Sequence, residues 1–262
     1  MGNVDYIYGS NASIMGIHSF IRYRIGSDNS YSFCFKAEKQ RGEKRMKRNF
    51  RVLEAVFDFL YLGIAMIIGL ILIISSANNS ARMIAGIAAL TLTFGDSFHL
   101  IPRIIHITKP NKSDRIQYFL GRGKQITSIT MTFFYLLLWW IGTIVLPADN
   151  IGYISYIIYT LVIIRIALCL MPQNKWTQKD ADNLWGIWRN IPFLILGLVV
   201  AALFFIYRNA FPQIRLMWLA ILMSFAFYLP VVIWAGKMPK VGMLMLPKSC
   251  TYIWILIMFL SL

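Results

Sequence analysis

The chain of 262 residues carries 26 Lys and Arg against 11 Asp and Glu, a formal net charge of +15, yet 58% of it is hydrophobic and only 14% charged. With a mean hydropathy of +0.61, too little polar surface is left to cover a soluble domain of this size. A nucleic-acid partner is excluded as well, because the basic residues lie between apolar runs rather than along one face or stripe.

Residues 1–45 mix Ser, Asn, Tyr, Lys and Arg without helical or alternating period and read as a disordered basic extension on the cytoplasmic side. Arg41-Gly42-Glu43 can be encoded by a purine run resembling a bacterial ribosome-binding site, a few codons before Met46-Lys47-Arg48-Asn49. A start at Met46, with residues 1–45 upstream of it, is therefore the alternative to a translated extension, and N-terminal sequencing of the native protein distinguishes the two. No secretory signal is expected, since the first apolar stretch starts too late and runs too long.

From residue 46 to 262 the chain reads as an all-α, polytopic membrane bundle of about seven helices. The expected spans are 52–75, 83–105, 121–146, 151–171, 190–207, 215–236 and 246–262. Basic residues set the orientation. Lys36, Lys39, Arg41, Lys44, Arg45, Lys47, Arg48 and Arg51 precede the first span, and Arg103, Lys109, Lys112, Arg115, Arg122 and Lys124 bracket the second connection. Lys175, Lys179 and Arg189 bracket the fourth; Lys237, Lys240 and Lys248 the sixth. The opposite side offers only Arg82, Arg208 and Arg215. The N-terminus is thus expected in the cytoplasm and the C-terminus outside, in the plasma membrane of a bacterium. Ala77–Ser80 and Pro147–Asn150 leave only tight turns, so the helices they join are antiparallel neighbours. Trp139, Trp140, Tyr153, Tyr207 and Trp218 are expected in an outer aromatic belt, and Trp176, Trp185, Trp188 and Trp234 in an inner one.

The second span holds the strongest local signal. Asp96, His99, Arg103 and His106 are spaced 3, 4 and 3 apart and share one helical face. At about 1.5 Å per residue, Asp96 lies roughly 14 Å from the cytoplasmic end and His99 about 9 Å from it. The first span runs the other way with Glu54 and Asp58 on one face, which places Asp58 opposite His99 and Glu54 opposite Arg103. Lys124, Ser128 and Tyr135 of the third span, Arg165 of the fourth, Arg189 and Asn190 of the fifth, Tyr228 of the sixth and Lys248 and Tyr252 of the seventh fall in the same layer. Charge inside hydrocarbon is costly and marks function, so a cation-rich pocket open to the cytoplasm and floored near Asp96 is expected. Arg165 needs a carboxylate or a bound anion, with Asp96 and Asp58 as candidates. Snorkelling to headgroups is the plain alternative for Arg103, His106, Lys124 and Lys248.

Asp96-x-x-His99 could fill two metal coordination positions, but His106 is about 15 Å further along the axis, and the set is too sparse for a metal. No cofactor is expected. Ser97 and Ser128 lack the nucleophile-elbow or lysine-dyad spacing of hydrolytic serines. Gly121-Arg122-Gly123-Lys124 lacks P-loop spacing. Cys34, Cys169 and Cys250 form no disulfide framework; the last two read as small apolar fillers.

Gly95-Asp96, following apolar residues and ahead of Phe98 and Leu100, resembles the Gly-Asp segment of the bacterial lysoplasmalogenase-like membrane proteins over about ten residues. The resemblance implies a multi-pass lipid hydrolase acting on ether-lipid headgroups, with a catalytic role for Asp96. Three functions are weighed. An enzyme acting on a lipid headgroup or other anionic small molecule would use Asp96, His99 and Asp58 for acid–base work, with Arg103, Arg165, Lys124, Lys248 and Glu54 binding substrate. A proton-coupled carrier would titrate Asp96. A structural or sensory protein would use the stripe for packing alone. Membrane lipids are the expected partners, and the outer half is too apolar to give a carrier a second polar path.

Overall fold

The computed structural model describes residues 52–108, 114–147, 151–178, 183–234 and 238–262. The 1–45 extension and the start at Met46 lie outside the described residues, as does the side chain of His106. Seven helices run through the described chain: α1 Val52–Ile74, α2 Ser80–Thr108, α3 Asp114–Val145, α4 Gly152–Leu170, α5 Asn183–Ile206, α6 Met217–Trp234 and α7 Met245–Phe259. Each lies within or contains a segment long and apolar enough to cross a membrane. Among the described residues there is no strand. The chain is a multi-pass membrane protein, and its all-α architecture is the expected one.

Helix starts differ from expectation where the chain turns polar. α3 begins at Asp114 rather than 121, and α5 at Asn183 rather than 190. Those first turns carry Asp, Arg, Gln, Asn and Trp, which lower hydropathy. They stay helical because the backbone keeps its internal hydrogen bonds toward the apolar layer. α6 and α7 are each preceded by a 3-10 turn, Pro212–Ile214 and Pro239–Leu244, whose leading prolines suit positions that need no N–H donor. The turn from α1 to α2 places Ala77 and Asn78 at φ of 26° and 70°. Asn79 closes it by accepting the Arg82 N–H at 3.1 Å on its side chain.

α3 is the central helix. It packs most extensively on α2 and also touches α4 and α5; α5–α6, α6–α7 and α2–α7 contacts complete the ring. Close approach to α2 depends on Gly95, where a Cβ would overlap the Thr130 side chain; Thr127 Oγ1 donates to the Gly95 carbonyl at 2.8 Å. α1 seats on α2 through Gly69 and Gly86 in the same manner. The core between α3, α5, α6 and α7 is apolar and aromatic: Phe134, Leu138, Leu196, Phe204, Ile221, Ile255 and Phe259 are buried. Trp139 belongs to this core and not to an outer belt: it is 1% exposed and donates Nε1–H to Ser155 Oγ at 3.2 Å. Burial of a ring of that size is favourable once its one polar atom has a partner. Outward faces carry Phe59, Ile74, Tyr153 and Ile163, apolar as helices facing lipid require.

Candidate functional site

At the end of the bundle where the basic residues gather, all seven helices contribute to one cavity of about 650 Å³. Its sides are Glu54 and Asp58 from α1, Asp96, His99 and Arg103 from α2, and Lys124, Ser128 and Met131 from α3. Arg165 of α4, Arg189 and Phe193 of α5, Tyr228 of α6 and Lys248 and Tyr252 of α7 close it. Three of these helices carry proline beyond their first turn at this depth: Pro102, Pro192 and Pro230. Each removes one i to i−4 backbone bond. Pro102 thereby leaves the Phe98 carbonyl without its helical donor, and α3 seats Gly123 directly on that carbonyl. Gly121, on nearly the opposite face, lies against the Trp176 backbone. The Gly121–Lys124 segment is therefore helix, wedged between α2 and the chain after α4, and Lys124 projects from it into the cavity.

The expected pairing of Glu54 with Arg103 is present, with Arg103 Nη2 donating to Glu54 Oε1. Asp58 and His99 reach the same cavity, but no hydrogen bond joins them: Asp58 Oδ2 and His99 Nδ1 are both buried without a partner. Asp96, the floor, accepts a hydrogen bond from the hydroxyl of Tyr61 at 2.7 Å. Tyr61 is 2% exposed and is absent from the expected site. Its spacing from Asp58 (i, i+3) is the signal that places it on the polar face of α1. Lys248 lies over the rings of Tyr228 and Tyr252 at 4.7 and 5.2 Å.

Arg165 corrects an expectation. Neither Asp96 nor Asp58 pairs with it. Its Nη1 donates to the backbone carbonyl of Arg189, and its guanidinium sits 4.9 Å from the centre of the Phe193 ring. The reason is geometric: α4 packs on α5 and α3, so the carboxylates of α1 and α2 lie across the cavity. Arg165 is 1% exposed, and its Nε has no partner.

Arg189, expected in the polar layer, forms a second group with Asn174 and Trp176, which the sequence did not assign to the site. The chain leaves α4 through the 3-10 turn Pro172–Asn174. There Asn174 Nδ2 donates to the Leu168 and Met171 carbonyls at 2.6 and 2.9 Å, satisfying the open end of the helix. Its Oδ1 accepts from Arg189 Nη1 at 2.9 Å. Arg189 then stacks 4.0 Å over Trp176, whose Nε1 donates to the Cys169 carbonyl at 3.0 Å. Trp176 thus lines the cavity, whereas the expectation placed it in an interfacial belt. Arg189 Nε is also unpartnered.

Ser97 points away, donating to the Phe94 carbonyl at 2.7 Å, and Ser128 spends its hydroxyl on the Lys124 carbonyl at 2.8 Å; neither is poised as a nucleophile. Among the described residues no three His, Cys, Asp or Glu side chains gather closely enough to hold a metal ion. The arrangement can bind anions through Arg165, Arg189 and Lys124, and can exchange protons through His99 and the two aspartates. Comparison of the chain with known protein families, with curated proteins and with solved structures finds no match in any of the three.

Proposed function

We propose that this membrane protein takes an anionic lipid headgroup, or another anionic small molecule, into the cavity from the cytoplasmic side of a bacterial plasma membrane and carries out proton-transfer chemistry on it. Asp96, His99 and Asp58 would act on the substrate, while Arg103, Arg165, Lys124, Lys248 and Glu54 hold it. One observation carries this reading. Five buried side-chain polar atoms lack a hydrogen-bond partner among the described residues, and four of them (Asp58 Oδ2, His99 Nδ1, Arg165 Nε and Arg189 Nε) belong to residues of this one cavity. Buried polar groups without partners cost on the order of 1–3 kcal/mol each, and their convergence in one place supports a polar occupant.

Apolar lining favours an amphiphile: Leu120, Val231, Val232, Met245 and Leu246 share the cavity with the charges. The Gly95-Asp96 resemblance to lysoplasmalogenase-like proteins points the same way. A carrier would need a continuation beyond Asp96. Toward the opposite end Ala65, Ile68, Leu72, Ala85, Ala88 and Leu92 are buried against one another, which favours an enzyme over a carrier.

The test uses the protein in liposomes, with turnover of labelled phospholipids and uptake of soluble anions both followed. Asp96→Asn and His99→Ala are expected to abolish turnover. Parent-like behaviour of both variants in both assays would assign the polar stripe to helix packing and overturn the proposal.

A further inference from the structure

The cavity's charges do not balance, and the imbalance has a location. Arg103, Lys124, Arg165, Arg189 and Lys248 face Glu54, Asp58 and Asp96, which, His99 set aside, leaves two more basic side chains than carboxyl groups. Glu54 is committed to Arg103, Asp96 accepts from Tyr61, and Asp58 stands with them on the α1–α2 side. Among the described residues no carboxylate forms an ion pair with Arg165, Arg189 or Lys124. The excess therefore lies on the α3–α4–α5 side, where Arg165 is hydrogen-bonded to the Arg189 backbone carbonyl and both guanidiniums line the same cavity.

Both guanidiniums are held in place by neighbours that carry no charge. Arg165 is fixed by the Arg189 carbonyl and the Phe193 ring, Arg189 by Asn174 Oδ1 and the Trp176 ring. Each keeps a buried Nε–H unspent, and Arg165 is 1% exposed. Like charges lining one cavity repel, and they persist there where an anion completes the group. Planar, pre-positioned N–H donors match the tetrahedral oxygens of phosphate bidentately.

We propose that Arg165 and Arg189, with Lys124 at the mouth, form a cradle for a phosphomonoester in its dianionic form. This deepens the reading above and rests on it. Two negative charges offset the two surplus cations, whereas a phosphodiester or a carboxylate supplies only one. The phosphomonoester is either the headgroup of a lipid or part of a soluble metabolite, and Arg189 becomes a binding residue alongside Arg165.

The full chain is placed in phosphatidylcholine nanodiscs, and binding of glycerol 3-phosphate is compared by calorimetry with that of glycerophosphoglycerol, a phosphodiester. A parallel arm compares thermal stabilisation by nanodiscs doped with phosphatidate or with phosphatidylglycerol. Preference for the monoester is expected. Binding of glycerol 3-phosphate identifies a soluble source, and stabilisation by phosphatidate alone a lipid one. Arg165→Gln and Arg189→Gln should each weaken binding about tenfold, as loss of a charge-assisted hydrogen bond does, with Arg215→Gln unchanged. Should either variant misfold, the parent still decides the matter: its affinity for the monoester must fall below about pH 6, where the phosphate takes up its second proton. Equal binding of monoester and diester, or full affinity in both arginine variants, overturns the cradle while leaving the anion-binding reading intact. No binding of any anion overturns both.

Discussion

Tyr61 on α1 donates its hydroxyl to Asp96 Oδ2 on α2 at 2.7 Å, and this bond forms the floor of the cavity. It joins two antiparallel helices at the depth where polar groups give way to packed apolar side chains. Removing the hydroxyl leaves a carboxylate oxygen buried without that partner. Tyr61→Phe is expected to cost about 1–3 kcal/mol of stability, measured by unfolding in mild detergent. In the Asp96→Asn background the same change should cost less, so the double-mutant cycle should return a favourable coupling between the two positions.

Nearer the mouth, Glu54 and Arg103 pair at 13% and 29% side-chain exposure. Solvent screens a pair so placed, so its contribution is on the order of 1 kcal/mol or less. Glu54→Ala and Arg103→Ala should each lower the unfolding midpoint slightly. Exchanging the charges, Glu54→Arg with Arg103→Glu, should recover most of the loss; a swap no better than the single variants would show that the pair does not set the register of α1 on α2.

Gly95 and Gly63 offer a contrast between two helical glycines. A methyl at 95 would overlap Thr130, while at 63 nothing lies within 4 Å. Gly95→Ala should therefore destabilise the protein by about 1–3 kcal/mol through overpacking. Gly63→Ala should be neutral or stabilising by up to about 1 kcal/mol, as alanine suits a helix better than glycine. Thermal unfolding of the two variants side by side reads the difference.

Asn174→Ala removes the donor that closes α4 and the acceptor that orients Arg189. It should weaken anion binding severalfold while leaving Tyr61–Asp96 intact, whereas Asn174→Asp, which keeps the acceptor but sets a carboxylate against Arg189, should weaken it further. Calorimetry with glycerol 3-phosphate separates the two.

The seven spans were legible because long apolar runs have few alternatives in a chain of this composition. The pairing of Glu54 with Arg103 was legible for a related reason: a tight turn makes α1 and α2 antiparallel neighbours, and the rise per residue then fixes which side chains meet. Arg165 lay beyond that logic. Its partners are the Arg189 carbonyl and the Phe193 ring, and they depend on how α4 settles against α5 across a connection that includes a 3-10 turn. Backbone acceptors leave no mark in a sequence. Asn174 was hidden in the same way, since two of its bonds go to carbonyls at the end of α4. Tyr61 was not singled out within its apolar run and Trp176 was read as an interfacial aromatic, because a ring with one polar atom fits lipid, headgroup and cavity equally by composition.

The central claim is that solvent and ligand reach Asp58, Asp96 and His99 from the basic end of the bundle alone. Single-cysteine labelling tests it most directly. His99→Cys, in a background with Cys34, Cys169 and Cys250 replaced by serine or alanine, is exposed to a membrane-impermeant thiol reagent from each side in turn. Modification from the cytoplasmic side, slowed by glycerol 3-phosphate, is the predicted result. Modification from the outer side with none from the cytoplasmic side would contradict the account.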